Sequence, residues 1–187
     1  GVSRSDSCVD MSLLENCVRE NLDATAPRAM AVLRPLRLII QNYPEGGEEF
    51  FDLPNHPKDP DMGSRKVGFS REIFIEADDF TETPPPKYFR LSPGREVRLR
   101  GAYLVTCTDV IKGPDGKIEA VLCTYDRATR GGDAPDGRKV KGTLHWVSAA
   151  HAVPAEVRLY ERLFNAEFPG RDGDFLSQIN PESLETL

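Results

Sequence analysis

Residues 10–22 show a helical pattern of apolar positions. Apolar side chains recur at spacings of three and four residues, at Met11, Leu14, Val18 and Leu22. This spacing puts them on one face and predicts an amphipathic helix over residues 10–22. Ser7 or Asp10 is suited to cap its start, and the helix is expected to stop before Pro27. We expect the apolar face to pack against a neighbouring domain.

From residue 31 onward the pattern changes to short apolar runs separated by turn residues. Such runs, rich in β-branched and aromatic side chains, are typical of strands. They lie at residues 32–43, 50–53, 67–69, 73–75, 96–100, 102–111, 117–125, 143–153 and 156–164. The sequence GPDG at residues 113–116 predicts a hairpin turn between two of them. Many short strands without βαβ alternation favour a barrel or sandwich over a parallel nucleotide-binding sheet.

Proline-rich and polar segments separate these runs. Three prolines within residues 54–63 predict an irregular loop. A triple proline at residues 84–86 forms a stiff spacer, which is suited to a crossing between two subdomains. Residues 126–142 are polar and glycine-rich, and we expect a flexible loop there.

The composition is that of an ordinary soluble domain, with 39% hydrophobic and 29% charged residues. No stretch reaches the roughly 20 apolar residues of a membrane span, and the first residues lack signal-peptide order, so we expect a cytoplasmic location. Cys8, Cys17, Cys107 and Cys123 form no zinc motif and are expected to be reduced. Cys107 and Cys123 fall in strand runs as small core residues, with a cross-strand disulfide as the alternative.

Positive charge is concentrated in residues 87–100, which read KYFRLSPGREVRLR. The whole chain has a formal net charge of −6, whereas this run holds five basic residues and one acid, giving +4 against −10 elsewhere. Arginine binds phosphates and base edges, and Tyr88 and Phe89 offer faces for unstacked bases. Period-two alternation places Arg98 and Arg100 on one strand face. The run predicts RNA binding. The alternative is a solvent-exposed edge strand whose charges protect it against aggregation.

A second basic cluster, Arg138, Lys139 and Lys141, follows the polar loop. It is equally consistent with phosphate contact and with the charged first residues of an ordinary strand. No phosphate-binding loop, metal motif or nucleophile with a base accompanies either cluster, so we expect no catalytic site and no metal site. His145 alternates with apolar neighbours, which favours a place on a sheet surface over catalysis.

Strings along nearly the whole chain resemble a single family. They include APRAMAVLRPLRLIIQNY, EIFIEADDF, YFRLSPGREVRLRGAY and GRKVKGTLHWVSAAHAVPAEVRLYERLF. Together they resemble the anticodon-binding region of glutaminyl-tRNA synthetases. The resemblance implies an all-β (mainly) fold: two linked antiparallel β-barrels of the ribosomal-protein-like anticodon-binding type, after an N-terminal helical lead-in. Residues 1–27 would connect to a catalytic domain, residues 28–82 and 142–187 would form a proximal barrel, and residues 83–141 a distal barrel.

The resemblance also implies roles for individual arginines, because the family splays the three anticodon bases into separate pockets. Arg28 corresponds to the arginine at the middle base, and Arg90 to the arginine at the third base. Arg98 and Arg100 correspond to the pair near the first base. Splayed single-stranded bases expose edges that a fixed guanidinium group can read.

Lys87 and Tyr88 would line the junction between the pockets. Lys87 and Phe89 stand where relatives often carry other polar or basic residues, which leaves the detail near the third base open. The chain also ends at Leu187, where the family continues into a further strand and a glutamine that shares the middle base. We therefore expect an incomplete middle-base pocket.

The implied partners are the anticodon arm of glutamine tRNA and a catalytic domain of the same polypeptide, with no membrane. ATP and magnesium would act in that catalytic domain and no cofactor in this region, because the HIGH and KMSKS signatures of class I synthetases are absent here. The implied function is tRNA recognition for the ligation of glutamine. The alternatives are the equivalent region of an archaeal or eukaryotic-type glutamyl-tRNA synthetase, and a freestanding RNA-binding barrel. REVRLRGAY and GTLHWVSAAHA favour the glutamine family.

Overall fold

The computed structural model describes residues 10–171 and 173–187. Within these residues the chain is mainly β, as expected, with the helix α1 at Met11–Thr25 near the N-terminus. The strands are β1 Pro35–Ile40, β2 Glu48–Pro54, β3 Ser64–Ser70, β4 Glu72–Glu76, β5 Glu96–Leu99, β6 Leu104–Lys112, β7 Ile118–Asp126, β8 Thr143–Leu144, β9 Val147–Ser148, β10 Arg158–Tyr160 and β11 Leu184–Thr186. Short 3-10 turns lie at Pro60–Met62, Ala77–Asp79, Arg127–Thr129 and Phe175–Gln178.

The chain divides into two compact units. The first contains the described residues up to Ala29 together with Asp52–Val67, and the second contains Met30–Phe51 and Gly68–Leu187. No helix in the described ranges is both long enough and apolar enough to cross a membrane.

Helix α1 in the first unit confirms the helix expected from the apolar stripe. Asp10 is its N-cap, because its carboxylate accepts a hydrogen bond of 2.9 Å from the backbone N–H of Ser12. Ser7, the other candidate cap, lies outside the described residues. The apolar stripe of the helix is exposed, with Met11 and Leu14 more than half accessible to solvent. Packing of this face against another domain therefore stays a prediction.

A seven-stranded mixed sheet dominates the second unit, in the order β8-β5-β6-β7-β1-β4-β9. The predicted hairpin around residues 113–116 is confirmed as β6 and β7, which pair antiparallel. Two pairings, β1 with β7 and β5 with β8, are parallel, so the expectation of purely antiparallel strands was wrong there. Turn signals identify strands that are neighbours in sequence, whereas parallel partners are joined by long crossovers that leave no local signal.

The two edge strands of this sheet, β8 and β9, are separated in sequence only by His145 and Trp146. Three residue steps span at most about 10 Å, which is much less than the width of a flat seven-stranded sheet. The sheet is therefore curled into a half-barrel. The Trp146 ring is fully buried in it, and its Nε1–H donates a hydrogen bond of 3.1 Å to the carbonyl of Arg100.

The core of the half-barrel combines inward-facing strand residues with an aromatic cluster. Alternation along β1 buries Leu36, Leu38 and Ile40, as period two requires. The buried Phe69 ring lies at the centre of the aromatic cluster and makes edge contacts with Tyr43, Phe51, Tyr103 and Trp146 at centroid distances of 5.0–5.7 Å. Cys107 and Cys123 are buried on facing positions of β6 and β7 as free thiols.

The single sheet draws strands from both segments of the expected two-barrel arrangement. Residues 83–141 supply β5, β6 and β7, and the flanking segments supply β1, β4, β8 and β9. Within the described residues the remaining strands form two small two-stranded sheets, β2 with β3 and β10 with β11. The two linked barrels and their boundaries stay predictions.

Candidate nucleic-acid interface

The backbone of the basic run is held against the segment that follows β4. The N–H of Leu91 donates to the carbonyl of Asp79 at 3.0 Å, and the N–H of Thr81 donates to the carbonyl of Leu91 at 3.2 Å. The Tyr88 hydroxyl adds a hydrogen bond of 3.3 Å to the carbonyl of Asp78. Burial raises the pKa of Tyr88, and the nearby Asp78 carboxylate raises it further, so the hydroxyl keeps its proton. Residues 88–91 therefore have a fixed backbone path.

Lys87 begins this path at a turn. It is the one non-glycine residue in the described ranges with a left-handed backbone, with φ of 66°. The next N–H, from Tyr88, donates to the carbonyl of Pro85 at 3.1 Å, so the triple proline ends in a closed turn. The Lys87 side chain is exposed to solvent where the chain leaves the spacer.

Arg90 forms a salt bridge with Asp79 that is exposed on one side only. The Arg90 side chain is 55% accessible, whereas the Asp79 side chain is 2% accessible. One oxygen of the Asp79 carboxylate pairs with Nη1 of Arg90, and the other has no hydrogen-bond partner among the described residues. Arg90 thus uses one end of its guanidinium on a buried anchor and presents the rest to solvent.

Arg98 and Arg100 lie at the end of β5, where the predicted alternation is confirmed. Val97 and Leu99 are fully buried, and the two arginines point away from the core. The Arg98 guanidinium donates to the carbonyl of Gly132 and lies 3.7 Å from the Asp133 carboxylate. The Arg100 side chain is exposed and forms no hydrogen bond or ion pair with the described part of the chain.

The second basic cluster lies directly beside the basic run. The carbonyl of Gly142 accepts a hydrogen bond of 2.8 Å from the N–H of Arg98, and the Nζ of Lys141 lies 4.9 Å above the ring of Phe89. A Cβ at position 142 would overlap the Phe89 carbonyl oxygen, so this close approach requires glycine. Two segments about 50 residues apart in sequence therefore form one surface, which we call the joint basic surface: residues 87–91, 98–100 and 139–142.

Arg138 is surrounded by carboxylates. Its guanidinium contacts Glu96, Asp126 and Asp136 at 2.5–2.9 Å. These three partners, with Glu96 the strongest, raise the pKa of Arg138 above its ordinary range, and Arg138 in turn lowers the pKa of Asp126. Arg138 ties the polar loop to β5, and a phosphate would have to compete with three carboxylates for it. The neighbouring Lys139 is exposed.

Arg28 belongs to the first compact unit, where it closes the C-terminal end of α1. Nη1 donates to the carbonyls of Leu22 and Ala26, and Nη2 donates to the carbonyl and the carboxylate of Asp23, at 2.6–3.1 Å. The Leu22 carbonyl also accepts the last backbone hydrogen bond of the helix, from the Ala26 N–H, so Arg28 adds a second donor there and supplies donors to the carbonyls of Asp23 and Ala26 beyond it. Arg28 also lines an open groove of about 600 Å³ along the apolar face of the helix.

Asp23 is a further charged centre of the first unit that the sequence did not reveal. Its carboxylate pairs with Lys58 at 3.1 Å as well as with Arg28. The hydrogen bond and charge of Lys58, followed by the charge of Arg28, hold the pKa of Asp23 below its ordinary value. His56, which is buried, contacts the carbonyl of Asp23 at 2.8 Å.

Asp79 is the residue of the second unit that sequence reasoning missed. The period of two that buries Ile73 and Ile75 does not extend to it, because β4 ends at Glu76, Ala77 is exposed and Ala77–Asp79 forms a 3-10 turn. A buried acid needs a cationic partner, and Arg90 supplies it from the surface. Elsewhere in the described ranges, no group of three or more His, Cys, Asp or Glu residues is arranged to hold a metal ion. His145 is half-exposed between buried neighbours, as expected for a sheet surface.

Comparison with known proteins gives two family matches. Residues 26–126 match the family described as "tRNA synthetases class I (E and Q), anti-codon binding domain", and residues 143–187 match a second family with the same description. Among curated proteins, the chain is 58% identical over its whole length to a glutamine–tRNA ligase of Nitrobacter hamburgensis, covering 33% of that protein. It is 55% identical over 98% of its length to the enzyme of that name from Clostridium perfringens and 54% identical over 98% to that from Citrobacter koseri. The chain spans about a third of the length of these relatives.

Proposed function

Because the chain belongs to the family of anticodon-binding domains of class I tRNA synthetases for glutamate and glutamine, we propose that it binds the anticodon arm of glutamine tRNA. The glutamine specificity is supported by relatives named glutamine–tRNA ligase at 54–58% identity. The chain would supply the selection of the tRNA, and the chemistry of ligation would belong to a catalytic domain of the same polypeptide.

The observation that carries this proposal is the joint basic surface. It combines arginines anchored to different degrees with an aromatic ring and with lysines that form no ion pair with the described residues. Arginine reads base edges through its planar fork of donors, and exposed rings stack on bases that have left the helical stack. Phe89, 48% accessible beside Lys141, offers such a ring. The overall charge of −6 does not oppose RNA binding, because the positive charge is local.

We assign the anticodon bases to three groups of arginines. Arg90 would read the third base, and Arg98 and Arg100 would contact the first base. Arg28 would contact the middle base and would exchange some of its helix contacts for base contacts. Lys87 and Tyr88 would line the junction between pockets.

Lys139 and Lys141 would contact phosphates, which position RNA without reading its sequence. Phosphate contact by Arg138 stays a prediction, and its three carboxylate partners favour a role in holding the loop.

The whole protein would join glutamine to its tRNA in the cytoplasm, with ATP and magnesium bound in the catalytic domain. The two linked barrels would divide the anticodon pockets between them, with the triple proline as the crossing. These proposals rest on the family and on the names of relatives that are about three times as long as this chain.

Equilibrium binding to RNA hairpins tests the proposal. The chain is measured against the anticodon arm of glutamine tRNA, against arms with one anticodon base changed, and against the arm of glutamate tRNA, each over a salt series. Changing a read base should weaken binding about 5- to 150-fold, the range of a good bidentate contact. The dependence on salt should stay the same, because it reports phosphate contacts. Equal affinity for every anticodon would contradict base reading, and a preference for glutamate tRNA would favour the other branch of the family.

A further inference from the structure

We infer that Asp79 is a positioning residue that fixes the Arg90 guanidinium for base reading, an inference that rests on the proposed anticodon function. Asp79 itself lies too deep to touch RNA, with 2% of its side chain accessible, and would act only through Arg90. A flexible arginine samples many orientations, whereas reading one base edge requires a single orientation of the fork.

Burial makes this ion pair different from an ordinary surface contact. Exposed pairs are screened by solvent and hold neither side chain in place. A buried carboxylate, by contrast, is costly to leave without a cation, so Asp79 holds its partner strongly. Nη1 of Arg90 takes this contact. The guanidinium group has five N–H donors, and the outer edge of the Arg90 fork is left for a ligand.

The backbone fixes both partners relative to each other. The segment after β4 is tied to residues 88–91 by the hydrogen bonds of Leu91 with Asp79 and of Thr81 with Leu91, at 3.0 and 3.2 Å. Phe80 and Leu91, which form a parallel bridge between these bonds, are both buried. Neither the base of the arginine side chain nor its anchor can shift without breaking these contacts. Arg100, with an exposed side chain and no such anchor in the described ranges, is the natural contrast.

Asp79→Asn is the direct test, with Asp78→Asn as its matched control. Both changes remove one negative charge from adjacent positions, but the exposed Asp78 side chain forms no hydrogen bond or ion pair with the described residues and acts on Tyr88 only through its charge, while its carbonyl accepts the Tyr88 hydroxyl. Binding is measured to the glutamine anticodon arm and to arms changed at each single anticodon base.

We expect Asp79→Asn to reduce discrimination at the third base from about 5- to 150-fold to about threefold or less. Affinity for the arm with the changed third base, and discrimination at the other two bases, should stay as in the unchanged chain. Asp78→Asn should keep the discrimination of the unchanged chain at all three bases, because a surface charge changes affinity for every arm equally. Rescue by Asp79→Glu, which retains the carboxylate, would support the same conclusion.

Retained third-base discrimination in Asp79→Asn would overturn the inference while leaving the proposed function intact. An equal loss of affinity for all arms would overturn it too, because that pattern indicates a structural role. If the unchanged chain does not discriminate between any of the arms, the proposed function itself fails. Binding by the unchanged chain therefore distinguishes failure of the proposed function from failure of the inference about Asp79.

A second measurement decides the matter if Asp79→Asn does not fold. Rotation of the guanidinium groups is followed by nitrogen NMR in the unchanged chain without RNA, with signals assigned from Arg90→Lys and Arg100→Lys. We expect the Arg90 signals to show slow rotation and the Arg100 signals fast rotation. Equally fast rotation of both would overturn the inference.

Discussion

Arg28 and Arg90 lie in different compact units, and their guanidinium groups are held in opposite ways. Arg28 donates four hydrogen bonds to the end of α1, and its acidic partner Asp23 is 56% accessible. Arg90 has one anchor, and that anchor is buried. The two arginines are proposed to do the same thing, but they start from different states. The Arg28 guanidinium is hydrogen-bonded to the protein through both of its terminal nitrogens, whereas most of the Arg90 guanidinium is open to solvent. We expect base contact by Arg28 to require rearrangement, and base contact by Arg90 to require none.

The largest expected effect concerns folding and falls on Arg90, despite its greater exposure. Arg90→Ala leaves the Asp79 carboxylate buried without a cation, and we expect the free energy of unfolding to fall by about 3 kcal/mol. Urea unfolding followed by tryptophan fluorescence measures it, because Trp146 is buried in the same unit.

The matched control is the double variant Arg90→Ala with Asp79→Asn. It removes the buried, unpaired charge of Asp79 and should recover more than half of the lost free energy of unfolding. Wild-type stability of Arg90→Ala alone would show that Asp79 does not depend on Arg90, and the contrast between the two arginines would disappear.

Arg28→Ala should have a smaller and local effect. It removes the guanidinium donors to the carbonyls of Leu22, Asp23 and Ala26 at the end of α1, and we expect the final helical turn to lose about 1 kcal/mol. Amide hydrogen exchange at Ala26, whose N–H donates to Leu22 at 2.9 Å, reports this turn. Arg19→Ala on the same helix is the control, since the Arg19 side chain forms no hydrogen bond or ion pair with the described residues. Equal exchange in both variants would show that Arg28 does not hold the helix end.

Acid should weaken the Arg28 region through Asp23. Lys58 first, and then Arg28, lower the folded pKa of Asp23 below the ordinary value of 3.8. A depressed carboxyl pKa stabilises the folded state above pH 3.8, and this contribution is lost as the pH falls from there through the folded pKa. NMR titration of the Asp23 carboxyl should show the low pKa, and Lys58→Ala should return it toward the ordinary value. Lys66→Ala, in the same unit, should leave it unchanged.

The sequence predicted the local parts of this contrast and missed the long-range parts. The stripe of α1 with its Asp10 cap, and the alternation that buries Val97 and Leu99 beside Arg98, follow from period and capping chemistry alone. The parallel pairing of β1 with β7 does not, because it depends on a crossover.

The sequence patterns also did not predict which residues hold the basic side chains in place. Asp79 meets Arg90 across a backbone bridge 11 residues later, and Lys141 reaches Phe89 from 52 residues away. Such contacts are determined by tertiary packing, and no spacing rule reports them. The basic run could therefore be predicted as a charged surface, but not which of its arginines is anchored.

The smallest expected effect extends the contrast to the lysines, since Lys141 has the Phe89 ring as a partner and Lys139 is exposed. If each contacts one phosphate, Lys139→Ala and Lys141→Ala should each make the plot of log affinity against log salt shallower by about 0.7. Affinity should fall by the same factor for the native anticodon arm and for arms with a changed base, because phosphate contacts carry no sequence information. Lys112→Ala, which removes a lysine paired with Glu82 at 2.9 Å, should leave the slope unchanged. Loss of discrimination at a single base in Lys141→Ala would instead show that the lysine and the Phe89 ring act together on that base, as Arg90 is proposed to act with Asp79.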